Sequence, residues 1–139
     1  MNMMKSNRIL CVDDDADDLL FLSQAINDVS PETEIVQALN GIEALNYLNE
    51  VKRDNSPLPC LIVLDLNMPL LNGKDTFDRI KADPELLEVP VAVFTSSRNP
   101  RDKAHFLKFN VQLFTKPDSI IQFSHIVSNL LSLCRSQAG

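Results

Sequence analysis

Unbroken apolar runs of four or five residues alternate along this chain with apolar residues spaced three and four apart. Ile9-Leu10-Cys11-Val12 stops abruptly at acids, as a buried strand does at its exposed end. Leu19, Leu22, Ile26 and Val29 follow at helical spacing until Ser30-Pro31 breaks the stripe. Glu34 to Leu39 predicts a second strand, and Asn40-Gly41 the turn or cap before a helix through Ile42, Leu45 and Leu48. Lys52 to Pro59, polar and holding two prolines, reads as a surface loop. Cys60 to Leu64 is the strongest strand signal and ends at Asp65. Met68-Pro69 and Asn72-Gly73 mark a loop, and Phe77 and Ile80 a third helix closed by Asp83-Pro84. Val91 to Phe94 predicts a fourth strand ending in Thr95, and Pro100 the first turn of a helix through about Lys108. Val111 to Thr115 predicts a fifth strand ending at Lys116-Pro117, and Phe123, Val127, Leu130, Leu131 and Cys134 the last helix. Continuous apolar strands alternating with helices predict an α/β fold. Its five-stranded parallel sheet is doubly wound, with helices on both faces.

Composition narrows the possibilities further. At 139 residues the chain makes one domain, with no repeat or internal boundary. The net charge of −6 argues against binding to nucleic acid or an anionic membrane, both of which need clustered positive charge. Three glycines, Gly41, Gly73 and Gly139, cannot make either glycine-rich nucleotide loop. The apolar stretch after the basic start is too short for a signal peptide or a spanning helix. Cys11, Cys60 and Cys134 are odd in number and lack C-x-x-C spacing, so free thiols in a reducing cytoplasm are expected. With nothing after the last helix, no output domain is expected beside the domain at residues 7–135.

In an open parallel sheet the ligand lies beyond the carboxyl ends of the strands. Asp13-Asp14 follow the first strand, Asp65 the third, Thr95 the fourth and Lys116 the fifth. Crowded carboxylates repel, and a divalent cation relieves that repulsion. Mg²⁺ suits one or two carboxylates plus water and phosphate oxygens, with Lys116 and Thr95 balancing charge on those oxygens. Each residue also has a plainer reading. Asp13 to Asp18 holds five acids in six positions and favours a following helix dipole without metal. Asp65 can cap a loop, Lys116 can sit in solvent, and Thr95 can bond its own backbone. Their joint occurrence at four strand ends argues for a site.

Ile9 to Asp14, Leu61 to Pro69 with Gly73, Phe94-Thr95-Ser96 and Lys116-Pro117 closely resemble the receiver domain of two-component response regulators. The loop at Lys52–Pro59 and the run Ile80-Lys81-Ala82-Asp83-Pro84 resemble stand-alone regulators paired with phytochrome-type histidine kinases. The resemblance implies a flavodoxin-like strand order 2-1-3-4-5 and makes Asp65 the phosphoacceptor, attacking the phosphohistidine of a sensor kinase. It implies Mg²⁺ held by Asp14, Asp65 and the backbone carbonyl of Asn67, with Asp13 contributing directly or through water. Thr95 and Lys116 would bind the phosphoryl oxygens, a cis peptide would precede Pro117, and Asn67 and Ser97 would tune hydrolysis. The signal would leave through the fourth helix, fifth strand and fifth helix, toward a downstream protein or a second copy. Phe106 and Phe109 either contribute apolar area there or belong to the core.

One position departs from the family pattern. Three residues before the lysine the family usually carries an aromatic switch residue, and here Leu113 stands there. Phe114 is adjacent, but alternation along a strand points it to the opposite face. Three rivals fit less well. A haloacid-dehalogenase-type phosphohydrolase needs a second Asp two positions after the nucleophile, where this chain has Asn67. A histidine phosphotransfer module is a helical bundle, and His105 and His125 read as ordinary helix residues. A phosphate-independent pseudo-receiver would be expected to lose an acid or the lysine, and all are retained.

Overall fold

Each apolar run forms a strand and each amphipathic stripe a helix. The protein is represented by a computed structural model that describes residues 6–117 and 119–136. In chain order the elements are β1 (Arg8–Val12), α1 (Ala16–Val29), β2 (Glu34–Ala38), α2 (Gly41–Arg53) and β3 (Leu61–Leu64). They continue with α3 (Gly73–Ala82), β4 (Val91–Thr95), α4 (Pro100–Leu107), β5 (Gln112–Thr115) and α5 (Ile120–Ser136). The five strands pair in parallel in the order β2-β1-β3-β4-β5, as expected.

Short polar side chains set where the first four helices begin. The carboxylate of Asp15 accepts from the N–H groups of Asp17 and Asp18, and Asn40 accepts from Glu43. Asn72 likewise accepts from Asp75, and Asn99 from Arg101 with Pro100 in the first turn. Each cap satisfies an otherwise orphaned donor and contributes about 1 kcal/mol.

Alternation along the strands divides the core in two. Leu10, Val12, Ile62, Leu64, Val91 and Val93 pack with Ala44 and Leu48 of α2, Phe77 and Ile80 of α3, and Phe106 of α4. Ile9, Cys11, Leu61, Val63, Ala92 and Phe94 pack with Leu19, Leu22 and Ile26 of α1 and Val127, Leu130 and Leu131 of α5. Strand order reverses between β1 and β3, so the crevice for a ligand opens above those strands.

Two expectations are corrected. Cys60 and Cys134 are joined in a disulfide that ties the start of β3 to α5, with Cα atoms 4.8 Å apart. Their 74-residue separation hides the pair, because two positions brought together only by the fold share no local spacing. Cys11 is free and buried, as a small hydrophobe should be. Burial pushes its thiol up to about 12, with the charge of Asp13 adding to the rise. No cis peptide occurs among the described residues, so Lys116-Pro117 is trans, the form that X–Pro bonds prefer by about 0.5–1 kcal/mol. Among those residues, no helix is long and apolar enough to cross a membrane.

Candidate functional site

Hydrogen bonds of the sheet run on into the residues that follow the strands. Val12 pairs with Leu64, which sets Asp13 and Asp65 side by side, and the Asp65 N–H donates to the Val12 carbonyl at 3.0 Å. Asp13 donates to the Ala38 carbonyl at 3.0 Å, and Lys116 to the Thr95 carbonyl at 2.8 Å. The backbone of all three chemistry-bearing positions is therefore held by the sheet rather than by a free loop. Carboxylate oxygens of Asp13, Asp14 and Asp65 lie within 4.8 Å of one another. Asp13 and Asp65 are buried and Asp14 is exposed.

Two buried carboxylates side by side need a counter-charge, and Lys116 supplies it. Its Nζ stands 2.6 Å from Asp13 Oδ2, 2.8 Å from Asp18 Oδ2 and 3.6 Å from Asp65 Oδ2. Burial raises the Asp13 carboxyl to about 6, and the charge of Asp65 adds to the rise. Hydrogen bonds from Lys116 and the Asp15 N–H oppose it. Burial works against the Lys116 ammonium, but its hydrogen bonds to Asp13 and Asp18 and the charge of Asp65 outweigh that and raise its pKa. The ammonium also lies 5.9 Å from the centre of the Phe94 ring, within cation–π range. Three oxygens in this spacing, one of them costly to keep ionised, form a donor set that a hard divalent cation fits.

The remaining residues sit around this cluster. Asp65 Oδ1 accepts from the Leu66 N–H at 2.8 Å, which fixes the carboxylate and leaves Oδ2 toward Lys116. Asn67 is exposed and lines a groove with Asp14, Leu66, Met68, Pro69, Asn72, Lys74 and Asp102. Thr95 is fully buried, and its Oγ1 accepts from the Ser97 N–H at 3.2 Å. The Ser97 hydroxyl in turn donates to Asp102 Oδ2 at 2.8 Å, tying the loop after β4 to the first turn of α4. Gly73 presses on the site from behind. Its N–H donates to the Leu66 carbonyl at 3.0 Å, and a Cβ there would overlap the Asp65 carbonyl oxygen and approach Leu66 Cα to 2.6 Å.

Leu113 packs half-buried on the α2–α3–α4 side, sharing a face with Val93 and Thr95, while Phe114 packs on the α1–α5 side. The two phenylalanines of the fourth helical region divide. Phe106 is core, and Phe109, just past α4, is half exposed. His105 is half-buried against the rings of Phe77, Phe106 and Phe109, with Nε2 3.4 Å from Asp78 Oδ1, and His125 is exposed. Neither histidine joins the acidic cluster among the described residues.

Asp18 was not singled out by sequence as a site residue, yet it holds Lys116 almost as closely as Asp13 does. The acidic run that leads into α1 has three jobs. Asp13 and Asp14 join the cluster, Asp15 caps the helix, and Asp18 reaches across to a lysine 98 residues away. Asp17 and Asp18 also occupy the first turn, where a negative charge favours the helix dipole.

The fold and the strand-end acids define an α/β domain with an acidic, lysine-bearing site at its switch point. Residues 9–127 match the response regulator receiver domain, and the chain belongs to that family. It is 34% identical over 95 residues to response regulator Rcp1 of Synechocystis, covering 68% of this chain and 65% of that protein. It is 28% identical over 115 residues to stress response regulator protein 1 of Meyerozyma guilliermondii, covering 82% of this chain and half of that one. The matches thus span less than two thirds of these curated relatives. Among solved structures, the phosphorylated cyanobacterial phytochrome response regulator RcpA superposes with a TM-score of 0.82 at 31% identity, covering 95% of this chain and 96% of that one. The Mn²⁺-bound form of response regulator Rcp1 gives 0.73 at 29%, covering 90% and 91%.

Proposed function

We propose that this protein is the phosphoacceptor of a two-component phosphorelay, with Asp65 as the residue phosphorylated. The observation that carries the reading is the buried carboxylate of Asp65, fixed by the Leu66 N–H and flanked by Asp13, Asp14 and the Lys116 ammonium. Asp65 Oδ2 attacks the phosphorus of a phosphohistidine, the P–O bond forms as the P–N bond breaks, and the imidazole leaves. Lys116 and the hydroxyl of Thr95 take the phosphoryl oxygens, and the Leu66 N–H keeps the attacking carboxylate in place. Asp13, Asp14, Asp65 and the Asn67 carbonyl would hold Mg²⁺, which when bound neutralises charge shared by the carboxylates and the transferred group. The donor is a sensor histidine kinase of the phytochrome-linked type, by analogy with the phytochrome response regulator RcpA. A kinase charged from ATP places the exchange in the cytoplasm. The protein turns over no external substrate beyond its own phosphorylation and slow dephosphorylation. Output runs through α4, β5 and α5 to a downstream protein or a second copy, where Leu107, Phe109 and Ile121 expose apolar surface. Incubation with acetyl phosphate and Mg²⁺ should add one phosphoryl group by mass, none in excess EDTA, and none to Asp65→Asn. Full labelling of Asp65→Asn would overturn the assignment.

A further inference from the structure

Lys116 is bonded most closely to carboxylates that are not the phosphoacceptor. Its Nζ makes 2.6 and 2.8 Å contacts to Asp13 and Asp18, whereas Asp65 Oδ2 stands at 3.6 Å. Asp13 belongs to the acidic cluster, but Asp18 does not. It comes from the first turn of α1, and its side chain is about two-fifths exposed. Lys116 lines a cavity of about 240 Å³ with Asp18, Phe21, Phe94, Pro117 and Phe123, which leaves room beside its side chain for a small shift. Two of the three ammonium donors are taken by the short bonds to Asp13 and Asp18, which hold Nζ short of Asp65. To draw closer to oxygens carried on Asp65 the ammonium must lengthen one of them, and the bond to Asp18 is the one outside the cluster. We propose that Asp18 is a positioning residue that holds Lys116 back from Asp65 in the unphosphorylated protein and so restrains phosphorylation. This rests on Asp65 being the phosphoacceptor.

Asp18→Asn keeps the size of the side chain and removes the charge that competes for Lys116. A partly exposed ion pair is weak, so phosphorylation by acetyl phosphate with Mg²⁺ should quicken by about two- to fivefold. Removing any negative charge near an anionic donor also helps, and Asp17→Asn, on the same turn, measures that general effect. Asp18→Glu should return the rate toward that of the wild type. In a Lys116→Met background, Asp18→Asn should give no more gain than Asp17→Asn. The NMR resonance of the Lys116 ammonium, read without donor or metal, should shift in Asp18→Asn and hold in Asp17→Asn. Equal rates in the two Asn variants, a gain that persists without Lys116, or an unmoved ammonium resonance would each overturn the proposal. A wild-type protein that takes no label refutes the reading of Asp65 instead, while the ammonium resonance still reports on Asp18.

Discussion

Gly73→Ala is the smallest change that should disable the site without touching any of its chemical groups. The residue opens α3, and among the described residues no glycine has a positive φ, so its backbone is one that any residue adopts. What matters is the missing Cβ. A methyl carbon there would lie 2.6 Å from Leu66 Cα and 2.9 Å from the Asp65 carbonyl carbon, whereas carbons rest about 3.5–4.0 Å apart. The start of α3 and the Asp65-Leu66 backbone must therefore part by roughly 1 Å. That overpacking should cost about 1–3 kcal/mol. Because the Leu66 N–H holds Asp65 Oδ1, the displacement reaches the carboxylate itself. A misplacement of that size at reacting atoms slows a reaction by up to about a hundredfold. The assay is urea unfolding for the first quantity, and phosphorylation by acetyl phosphate, well below the melting temperature, for the second. A Gly73→Ala protein with wild-type stability and wild-type rate would refute the claim that this contact positions Asp65.

The remaining predictions concern the switch, the charge and the disulfide. Leu113→Ala should cost less than the roughly 2–5 kcal/mol of a fully buried leucine, since Leu113 is half-buried, and should leave phosphoryl-dependent NMR shifts on α5 intact. Thr95→Val should keep the fold and still take a phosphoryl group at Asp65, more slowly for want of one contact, but lose those shifts; the reverse pattern would make Leu113 the switch. Asp13 has a native pKa of about 6 against an ordinary 3.8, so the stability linked to it is complete below 3.8 and lost as pH rises through 6. Metal-free protein should therefore lose the Asp13 contribution between about pH 4 and 7, and Asp13→Asn should remove that part of the slope; an unchanged slope refutes the assignment. Reducing Cys60–Cys134, which closes a 74-residue loop, should lower stability by up to about 4 kcal/mol in urea unfolding, and an unmoved midpoint would deny the crosslink a structural role.

Local pattern carried most of the fold because strands buried on both faces must be apolar throughout. The runs at Ile9–Val12 and Cys60–Leu64 could hardly be read otherwise, although the third strand itself begins at Leu61. Asp13, Asp65, Thr95 and Lys116 were legible as a candidate site for a related reason, since each sits where such a run stops. Strand ends drifted by a residue, outward to take in Arg8 and Thr95 and inward to leave out Leu39, Cys60 and Val111, because the ladder follows backbone pairing and not the apolar pattern. Contacts made by the fold alone left no trace. Cys60 and Cys134 meet across 74 residues, and Asp18 and Lys116 across 98. The peptide before Pro117 was expected to be cis from family likeness, and nothing in its neighbours could have corrected that.

The identity of the phosphorylated carboxyl is the centre of the account, and four acids of the site crowd around one lysine and one another. Borohydride reduces an acyl phosphate to an alcohol and so marks the acid that carried it, converting a phosphorylated aspartate to homoserine. Protein phosphorylated with acetyl phosphate and Mg²⁺, reduced with labelled borohydride and mapped by peptide mass spectrometry, should carry homoserine at position 65 alone. Homoserine at position 13, 14 or 18, with Asp65 intact, would contradict it.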